Sequence, residues 1–216
     1  MIKNVFFDCD STLVQIEGVV ELARLKNKTS QVQALTEQAM RGEVELSEVF
    51  AKRLDIIQPH RNDLIQLGKL YCERLTEGAA EAVSKLQKLS RQVFIISAGY
   101  LESLKILGKK LNIPEANIFG IELIFDEGGQ YIGLDQSQVL ISHIGKKKLL
   151  QTLNIDLNQT AMIGDGANDI ATQDVVKLFI GFQGNSENKF MKNNAKVFLP
   201  GNSLLPVVDI IINHSG

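Results

Sequence analysis

The sequence predicts an α/β protein in which a Rossmann-like parallel sheet is flanked by helices and a small helical cap is inserted after the first strand. Short apolar runs recur along the chain, and each is followed by Gly, Asp or Ser and then by a helical pattern. Such continuous runs are typical of strands that are buried on both faces of a parallel sheet. Between the first two runs, from about residue 17 to residue 75, only helical periodicity occurs. We therefore expect a core domain of residues 1–15 and 77–216 and a cap of residues 16–76.

The individual elements follow from the same patterns. The expected strands of the sheet are residues 5–7, 93–96, 161–163 and 178–180. The expected helices are residues 17–25, 32–40, 47–57, 63–75 and 79–89. Ser30 and Ser47 are the expected N-caps of two of them. Residues 118–125 and 130–134 break the strand–helix rhythm, and the glycine turn between them predicts a β-hairpin.

The amino-acid composition argues against some classes of binding partner. The chain has 216 residues, of which 44% are hydrophobic and 22% are charged, and its formal net charge is -2. Such a chain has no overall basic field that would bind nucleic acid or an anionic membrane. No apolar run approaches the length of a membrane span. Cys9 lies within an acidic cluster and far from Cys72, which favours a reducing compartment, so we expect a cytoplasmic protein.

The strongest local signal is the segment Asp8-Cys9-Asp10-Ser11-Thr12, which directly follows the first predicted strand. Two carboxylates that are two residues apart would repel each other unless a cation lies between them. The same residue types also favour a strand-to-helix turn that caps the next helix, so the segment alone leaves both interpretations open.

A second acidic segment, residues 164–169 (GDGAND), follows another predicted strand. Asp165 and Asp169 are four residues apart, so they would share one face of a helical first turn. Together with Asp8 and Asp10 at a neighbouring strand end, they would form a compact site of oxygen ligands, which suits Mg²⁺. A plain surface turn is the alternative interpretation.

Two further segments have features that suit phosphate. Ser97, Ala98 and Gly99 follow the second predicted strand, and a hydroxyl with free backbone N–H groups can hold phosphate oxygens. A serine at this place also commonly caps a helix. Residues 146–148 are all lysine and begin a helical segment, so one of them could reach the same sheet edge, although lysine runs are usually solvated faces.

The four motifs occur along the chain in a fixed order: DxDxT after a strand, Ser after a strand, Lys, and GDGxxD after a strand. The motifs and their order resemble those of the haloacid dehalogenase superfamily of phosphatases. The resemblance covers nearly the whole chain. The helical insertion is similar to the small cap of the phosphoserine phosphatase branch of that superfamily. The branch is further indicated by Glu17-Gly18, Ala39-Met40, Arg53-Leu54 and Gln58-Pro59.

The resemblance implies Mg²⁺-dependent hydrolysis of a phosphomonoester through an aspartyl phosphate. Asp8 would be the nucleophile, and Asp10 would be the general acid and base. Asp8, Asp165 and the backbone carbonyl of Asp10 would bind the metal, supported by Thr12 and Asp169. Lys146 is preferred to Lys147 because it comes first after Gly145. The residues implied to contact phosphate or substrate are Glu17, Met40, Arg53, Ser97, Ala98, Gly99, Lys146 and Asn168.

The implied partner is a small phosphorylated metabolite, O-phosphoserine, and the implied reaction is the last step of serine biosynthesis. Glu17 would bind its ammonium group and Arg53 its carboxylate, unless both are ordinary charged residues of a cap surface. Another small phosphomonoester, or phosphotransfer to an alcohol, is the alternative within the superfamily. A receiver-type signalling domain is a remote alternative, because its phosphorylated Asp follows a middle strand and no helical cap interrupts its first crossover. The sequence leaves open whether the protein forms a homodimer.

Overall fold

A six-stranded parallel sheet lies at the centre of the part of the chain that the computed structural model describes. That part comprises residues 1–40, 46–184 and 187–214, without the side chains of residues 39, 40, 46 and 47. The strands, including two of a separate hairpin, are β1 (Asn4–Phe7), β2 (Gln92–Tyr100), β3 (Ile118–Ile121), β4 (Ile124–Phe125), β5 (Tyr131–Gly133), β6 (Thr160–Gly164), β7 (Leu178–Phe182) and β8 (Val197–Leu199). The sheet has the order β3-β2-β1-β6-β7-β8, and every neighbouring pair in it is parallel.

Helices cover the sheet and form the insertion after β1, which confirms the predicted α/β architecture. The helices of the insertion are α1 (Gly18–Leu25), α2 (Thr29–Met40), α3 (Leu46–Ile57) and α4 (Arg61–Glu73). The other helices of the described part are α5 (Ala79–Lys88), α6 (Leu101–Lys110), α7 (Gly145–Thr152), α8 (Ala167–Ile170), α9 (Lys189–Asn194) and α10 (Val207–Asn213). Of these elements, α6, β8, α9 and α10 were not predicted individually.

The second strand and the hairpin differ from their predictions. β2 continues to Tyr100, so Ser97 to Gly99 lie within the strand and do not follow it. Ile118–Ile121 is not part of a hairpin, because it pairs in parallel with β2 at the edge of the main sheet. Only β4 and β5 form the antiparallel hairpin, whose turn contains Gly129 with a φ of 85°. An apolar run alone does not distinguish an edge strand of a parallel sheet from one arm of a hairpin.

The two predicted N-caps are wrong. The backbone N–H of Val32 donates to the carbonyl of Lys28 at 3.0 Å, so α2 begins at Thr29 and Ser30 lies within it. α3 begins at Leu46, so Ser47 is also inside its helix. Both helices start upstream of the predicted caps, as is common because local signals fix helix ends poorly.

β1 is the strand at which the topology of the sheet changes direction. β2 and β3 extend the sheet on one side of β1, and β6 to β8 extend it on the other. At such a point the connections leave in opposite directions, which opens a crevice beyond the carboxyl ends of the strands. The side chains of β1 alternate between two buried faces. Phe6 stacks on Phe94 with ring centroids 4.3 Å apart, whereas Phe7 packs with the other core cluster.

α4 of the insertion contacts both α6 of the core and the turn of the hairpin. α4 lies so close to α6 that a Cβ added at Gly68 would be 2.7 Å from Cδ1 of Ile106, and Ser103 Oγ donates to the carbonyl of Leu64 at 2.7 Å. His60 caps α4 with Nδ1, which accepts from a backbone N–H, so its Nε2 carries the hydrogen. That Nε2 is 2.8 Å from the carbonyl oxygen of Gly128 in the hairpin turn. The division at residues 16 and 76 stays a prediction.

No helix within the described ranges is both long enough and apolar enough to cross a membrane.

Candidate active site

The carboxyl ends of three adjacent strands surround one cavity. Phe7 at the end of β1 is in register with Ile95 of β2 and Ile163 of β6, so the residues that follow these positions meet at one edge of the sheet. The insertion covers this edge and leaves a cavity of about 240 Å³. The residues that line the cavity are Asp8, Asp10, Glu17, Val19, Phe50, Arg53, Ser97, Ala98, Gly99, Tyr100, Asp165, Gly166 and Asn168.

The turn after β1 places Asp8 in the plane of the sheet and Asp10 above it. The backbone N–H of Asp8 still bonds to the carbonyl of Ile163 at 2.9 Å, which extends the sheet by one residue. Cys9–Leu13 then forms an irregular turn, which is closed by a bond from the backbone N–H of Val14 to the carbonyl of Cys9 at 3.0 Å and in which Ser11 has a φ of 53°. A left-handed residue at this place reverses the chain locally, and the strain of such a conformation is typical of functional sites.

Lys146 lies beneath the cavity at the start of α7 and is 1% exposed. Its Nζ is 2.6 Å from Asp8 Oδ1 and 2.6 Å from Asp169 Oδ1. Burial alone would lower the pKa of Lys146, but the two carboxylates hold that pKa above its usual value. Lys147 points elsewhere and pairs with Asp174 at the surface. The structure thus places the first lysine of the run, and not the second, in the site.

Gly145 explains why Lys146 enters the protein. A Cβ at Gly145 would be 2.2 Å from the carbonyl oxygen of Val139 and 2.8 Å from Cα of Leu140. Because glycine has no side chain, the first turn of α7 can approach this backbone closely.

Asp8, Asp165 and Asp169 form an acidic cluster whose oxygens lie within 4.8 Å of one another. Asp165 precedes α8, so the prediction that Asp165 and Asp169 share a helical face is wrong. Asp165 is oriented instead by Thr12, whose hydroxyl donates to Asp165 Oδ1 at 2.8 Å. Asp169 Oδ2 accepts the backbone N–H of Gly166 at 2.9 Å, and its other oxygen accepts from Lys146.

The charges of this cluster fit a metal cation. Burial, then Asp8 and Asp169, raise the pKa of Asp165 to about 8. Burial and Asp8 likewise raise the pKa of Asp169 to about 7, although Lys146 opposes them. Both shifts come first from burial and then from the neighbouring carboxylates, and a divalent cation would offset both effects because it favours the ionised form. Asp8 and Asp165 are the fitting ligands, because both oxygens of Asp169 already accept hydrogen bonds.

Asp10 lies on the cap side of the cavity and is held by the start of α1. Its Oδ2 accepts the backbone N–H of Gly18 at 2.8 Å. Burial and then the negative charge of Glu17 raise the pKa of Asp10 to about 7. A carboxyl group with a pKa near neutrality can both donate and accept a proton at physiological pH. The arrangement therefore suits an acid–base group placed opposite Asp8.

Tyr71 of α4 completes the surroundings of Asp10 and was not predicted. Its side chain is fully buried, and a Cβ added at Gly18 would be 2.2 Å from its hydroxyl and 3.3 Å from Asp10 Oδ2. This proximity acts to lower the pKa of Asp10, against the larger effect of burial. The hydroxyl and Asp10 Oδ1 are nevertheless both buried without a regular hydrogen-bond partner in the described part.

Charged groups of opposite sign, Glu17 and Arg53, face the cavity from the insertion. Ser11 Oγ donates to Glu17 Oε1 at 2.6 Å. Glu17 is exposed as a residue, but its carboxylate lies among protein atoms, and this burial raises its pKa. Arg53 donates from Nη2 to Thr36 Oγ1 at 2.8 Å. The cavity can therefore take a ligand that carries both an ammonium and a carboxylate.

The predicted phosphate segment lines the same cavity from β2. Ser97 is 2% exposed, and its Oγ accepts the backbone N–H of Gly99 at 3.0 Å. Ala98 and Gly99 line the cavity on one side, and Asn168 lines it on the other. Met40, the remaining predicted contact, has a side chain outside the described residues.

The sequence reasoning missed some lining residues. Tyr100 continues the strand of Ser97 and Ala98, so the period of two along β2 could have indicated it. Phe50 and Val19 reach the cavity only because α3 and α1 fold over the sheet, and no local signal marks them. Asn188 donates to the carbonyl of Asp165 at 2.8 Å and was also missed.

Comparisons with known proteins extend the description of the site. A family model described as a haloacid dehalogenase-like hydrolase matches residues 2–172. The phosphoserine phosphatase of Bos taurus is 37% identical over 197 residues, which cover 90% of this chain and 88% of that protein. A phosphoserine phosphohydrolase-like protein from Francisella tularensis superposes with a TM-score of 0.80 at 26% identity, over 97% of this chain and 100% of the other. A phosphoserine phosphatase solved as an analogue of its phospho-aspartyl intermediate superposes with a TM-score of 0.78 at 25% identity, over 97% of this chain and 98% of the other.

We predict that Gly18→Ala destabilises the protein by about 1–3 kcal/mol, the usual cost of overpacking a buried site. The new methyl group would meet the Tyr71 hydroxyl, which is the end of a rigid side chain. Adding Tyr71→Phe removes that oxygen and should restore most of the loss, whereas Tyr71→Phe alone should have little effect. Urea unfolding of the four proteins measures this, and a double mutant no more stable than Gly18→Ala would contradict the packing described.

We also predict that Lys146→Met lowers the free energy of unfolding by about 3–5 kcal/mol without divalent cations, because it leaves buried carboxylates unpaired. Lys147→Met is the matched control and should change the free energy by less than about 0.5 kcal/mol, since its ion pair lies in solvent. Equal losses in urea unfolding would show that the burial of Lys146 has no special role.

Proposed function

The chain belongs to the haloacid dehalogenase-like hydrolase family, and we propose that it hydrolyses O-phosphoserine to serine and phosphate. The observation that carries the proposal is the arrangement of Asp8 and Asp10 at one cavity. Asp8 is paired with a buried lysine, and Asp10 has a pKa raised to about 7. The first is suited to act as a nucleophile, and the second is suited to exchange protons.

The first half of the reaction follows from these roles. An oxygen of Asp8 attacks phosphorus and forms a P–O bond while the bond from phosphorus to the serine oxygen breaks. Asp10 gives its proton to that leaving oxygen, so serine departs as a neutral alcohol. Ser97 and Lys146 hold phosphate oxygens and stabilise the charge of the transferring group.

The second half reverses the role of Asp10. Its carboxylate takes a proton from water, whose oxygen attacks the phosphorus of the aspartyl phosphate. The bond between phosphorus and Asp8 breaks, which releases phosphate and restores both side chains. A similar phosphoserine phosphatase was solved as an analogue of its phospho-aspartyl intermediate, which supports this scheme.

Asp8, Asp165 and the carbonyl of Asp10 are proposed to hold Mg²⁺, with Asp169 and Thr12 orienting their surroundings. A hard divalent cation with oxygen ligands offsets the negative charges that would otherwise oppose attack on phosphate. The geometry supports this, because Asp8, Asp165 and Asp169 each offer a carboxylate oxygen within 4.8 Å of the others.

The cap side of the cavity supports the choice of substrate. O-phosphoserine carries an ammonium and a carboxylate beside its phosphate, and Glu17 and Arg53 offer the complementary charges. Ala98, Gly99 and Asn168 would contact the phosphate end, and Met40 stays a predicted contact. A role in serine biosynthesis, a cytoplasmic location and a homodimer also stay predictions. The chain's phosphoserine phosphatase relatives support the same substrate.

We predict that the protein releases phosphate from L-phosphoserine with Mg²⁺, and that removing the cation with EDTA abolishes turnover until Mg²⁺ is restored. Asp8→Asn should lower kcat on the order of a thousandfold or more, because the amide is no nucleophile. Asp174→Asn, which alters an exposed carboxylate, is the control and should keep turnover. Wild-type turnover by Asp8→Asn would overturn the mechanism. Phosphate transfer to added alcohol in place of release would favour a phosphotransferase.

We further predict that Arg53→Ala lowers kcat/KM for L-phosphoserine by about tenfold to a hundredfold, the loss expected for one charge-assisted contact. O-phosphoethanolamine has the same phosphate and ammonium but no carboxylate, so its kcat/KM should change by less than about twofold. Lys52→Ala alters the exposed neighbour that pairs with Glu48, and it should affect neither substrate. Equal losses on both substrates would remove the assignment of Arg53 to the carboxylate.

A further inference from the structure

Arg53 reaches the cavity from α3, and its guanidinium is tied to the neighbouring helix α2. Its Nη2 donates to Thr36 Oγ1 at 2.8 Å. The Thr36 hydroxyl gives its own hydrogen to the carbonyl of Val32, one helical turn earlier, at 2.9 Å. Because a hydroxyl has a single hydrogen, Thr36 can only accept from the guanidinium once that hydrogen is used. In the contact between the two helices, the guanidinium of Arg53 therefore donates and the oxygen of Thr36 accepts.

The position of Thr36 is itself set by packing. Leu35 of α2 and Val49 of α3 are buried together, and Ile56 of α3 packs on them. Thr36 follows Leu35 directly in α2. The apolar contact between α2 and α3 therefore fixes the position of the Thr36 hydroxyl oxygen relative to α3. A guanidinium has five N–H donors in one plane, and Thr36 engages only one of them. Arg53 Nε is buried and has no partner among the described residues, so donor capacity is left for a ligand.

We propose that Thr36 is a positioning residue that orients Arg53 for the carboxylate of the substrate, an inference that rests on the proposed function. A planar guanidinium binds both oxygens of a carboxylate only when the two planes are aligned. Thr36 holds that plane before the substrate arrives, so less side-chain freedom is lost on binding. Thr36 touches no reacting atom, and its effect is confined to substrates that bear the carboxylate.

The test compares Thr36→Val with Thr36→Ser in the whole chain with Mg²⁺. Valine keeps the branched shape but removes the acceptor oxygen, whereas serine keeps the oxygen. We expect Thr36→Val to raise KM for L-phosphoserine about tenfold with kcat changed less than about twofold, because uniform binding is what is lost. Thr36→Ser should recover most of the wild-type KM. Ser30→Val, at an exposed position of the same helix, is the control for a β-branched substitution.

O-phosphoethanolamine separates positioning from a general loss of structure. Thr36→Val should leave its kcat/KM near that of wild type, since this substrate has no group for Arg53. The double variant Thr36→Val/Arg53→Ala should be no worse on L-phosphoserine than Arg53→Ala alone, because Thr36 acts through Arg53. Equal losses of Thr36→Val on both substrates, or no loss on either, would overturn the inference.

The same measurements distinguish a failure of this inference from a failure of the proposed function. If Arg53→Ala lowers kcat/KM for L-phosphoserine selectively but Thr36→Val does not, only the role of Thr36 is wrong. If wild-type protein does not prefer L-phosphoserine to O-phosphoethanolamine and Arg53→Ala alters neither, the assigned substrate is wrong, and the role of Thr36 is overturned with it.

Discussion

The burial of Lys146 among carboxylates is the interaction on which the site depends. Three acidic side chains converge at the carboxyl edge of the sheet, and Lys146 pairs with two of them. A buried charge without a partner is costly, so neither the lysine nor the acids could occupy these places alone. The lysine therefore sets how closely Asp8 and Asp169 approach, while burial and the two neighbouring carboxylates raise the pKa of Asp165. This unbalanced charge makes the edge suitable for a cation and for phosphate.

A second constraint comes from the insertion, which folds over the edge and buries Asp10. The backbone of Gly18 binds Asp10, and Tyr71 closes the space behind both. Burial of Asp10 then raises its pKa towards neutrality. Asp8 and Asp10 are two residues apart in sequence, but their carboxyl groups lie in different surroundings. Asp8 lies beside the ammonium group of Lys146, and Asp10 lies beside Glu17. Different surroundings give identical side chains different chemical roles.

The strand ends and their acidic residues could be predicted because the signals are local. One buried apolar run is followed by Asp8 and another by residues 164–169. Each run predicts a strand, and the acidic residues that come next mark the end of that strand. Longer-range features could not be predicted in this way. The pairing of Ile118–Ile121 with β2, the contact of Tyr71 with the surroundings of Asp10, and the bond from Arg53 to Thr36 all join distant segments. The preference for Lys146 over Lys147 comes from the family resemblance, and the close approach of the backbone at Gly145 adds a physical reason that the sequence does not reveal.

Chemistry and selectivity are thereby carried by different parts of the chain. Under the proposed function, Asp8, Lys146 and Asp165 at the sheet edge would act on the phosphate, which every phosphomonoester shares. Glu17 and Arg53 line the cavity from the insertion and would face the part of the substrate that differs, whereas Thr36 contacts Arg53. Because the sheet edge is fixed by backbone pairing, whereas α2 and α3 are joined by a small apolar cluster, these two helices can change with little effect on the edge. Under the proposed function, substrate preference would therefore depend on how α2 and α3 orient Arg53, whereas the reaction would depend on the core together with the part of the insertion that holds Asp10.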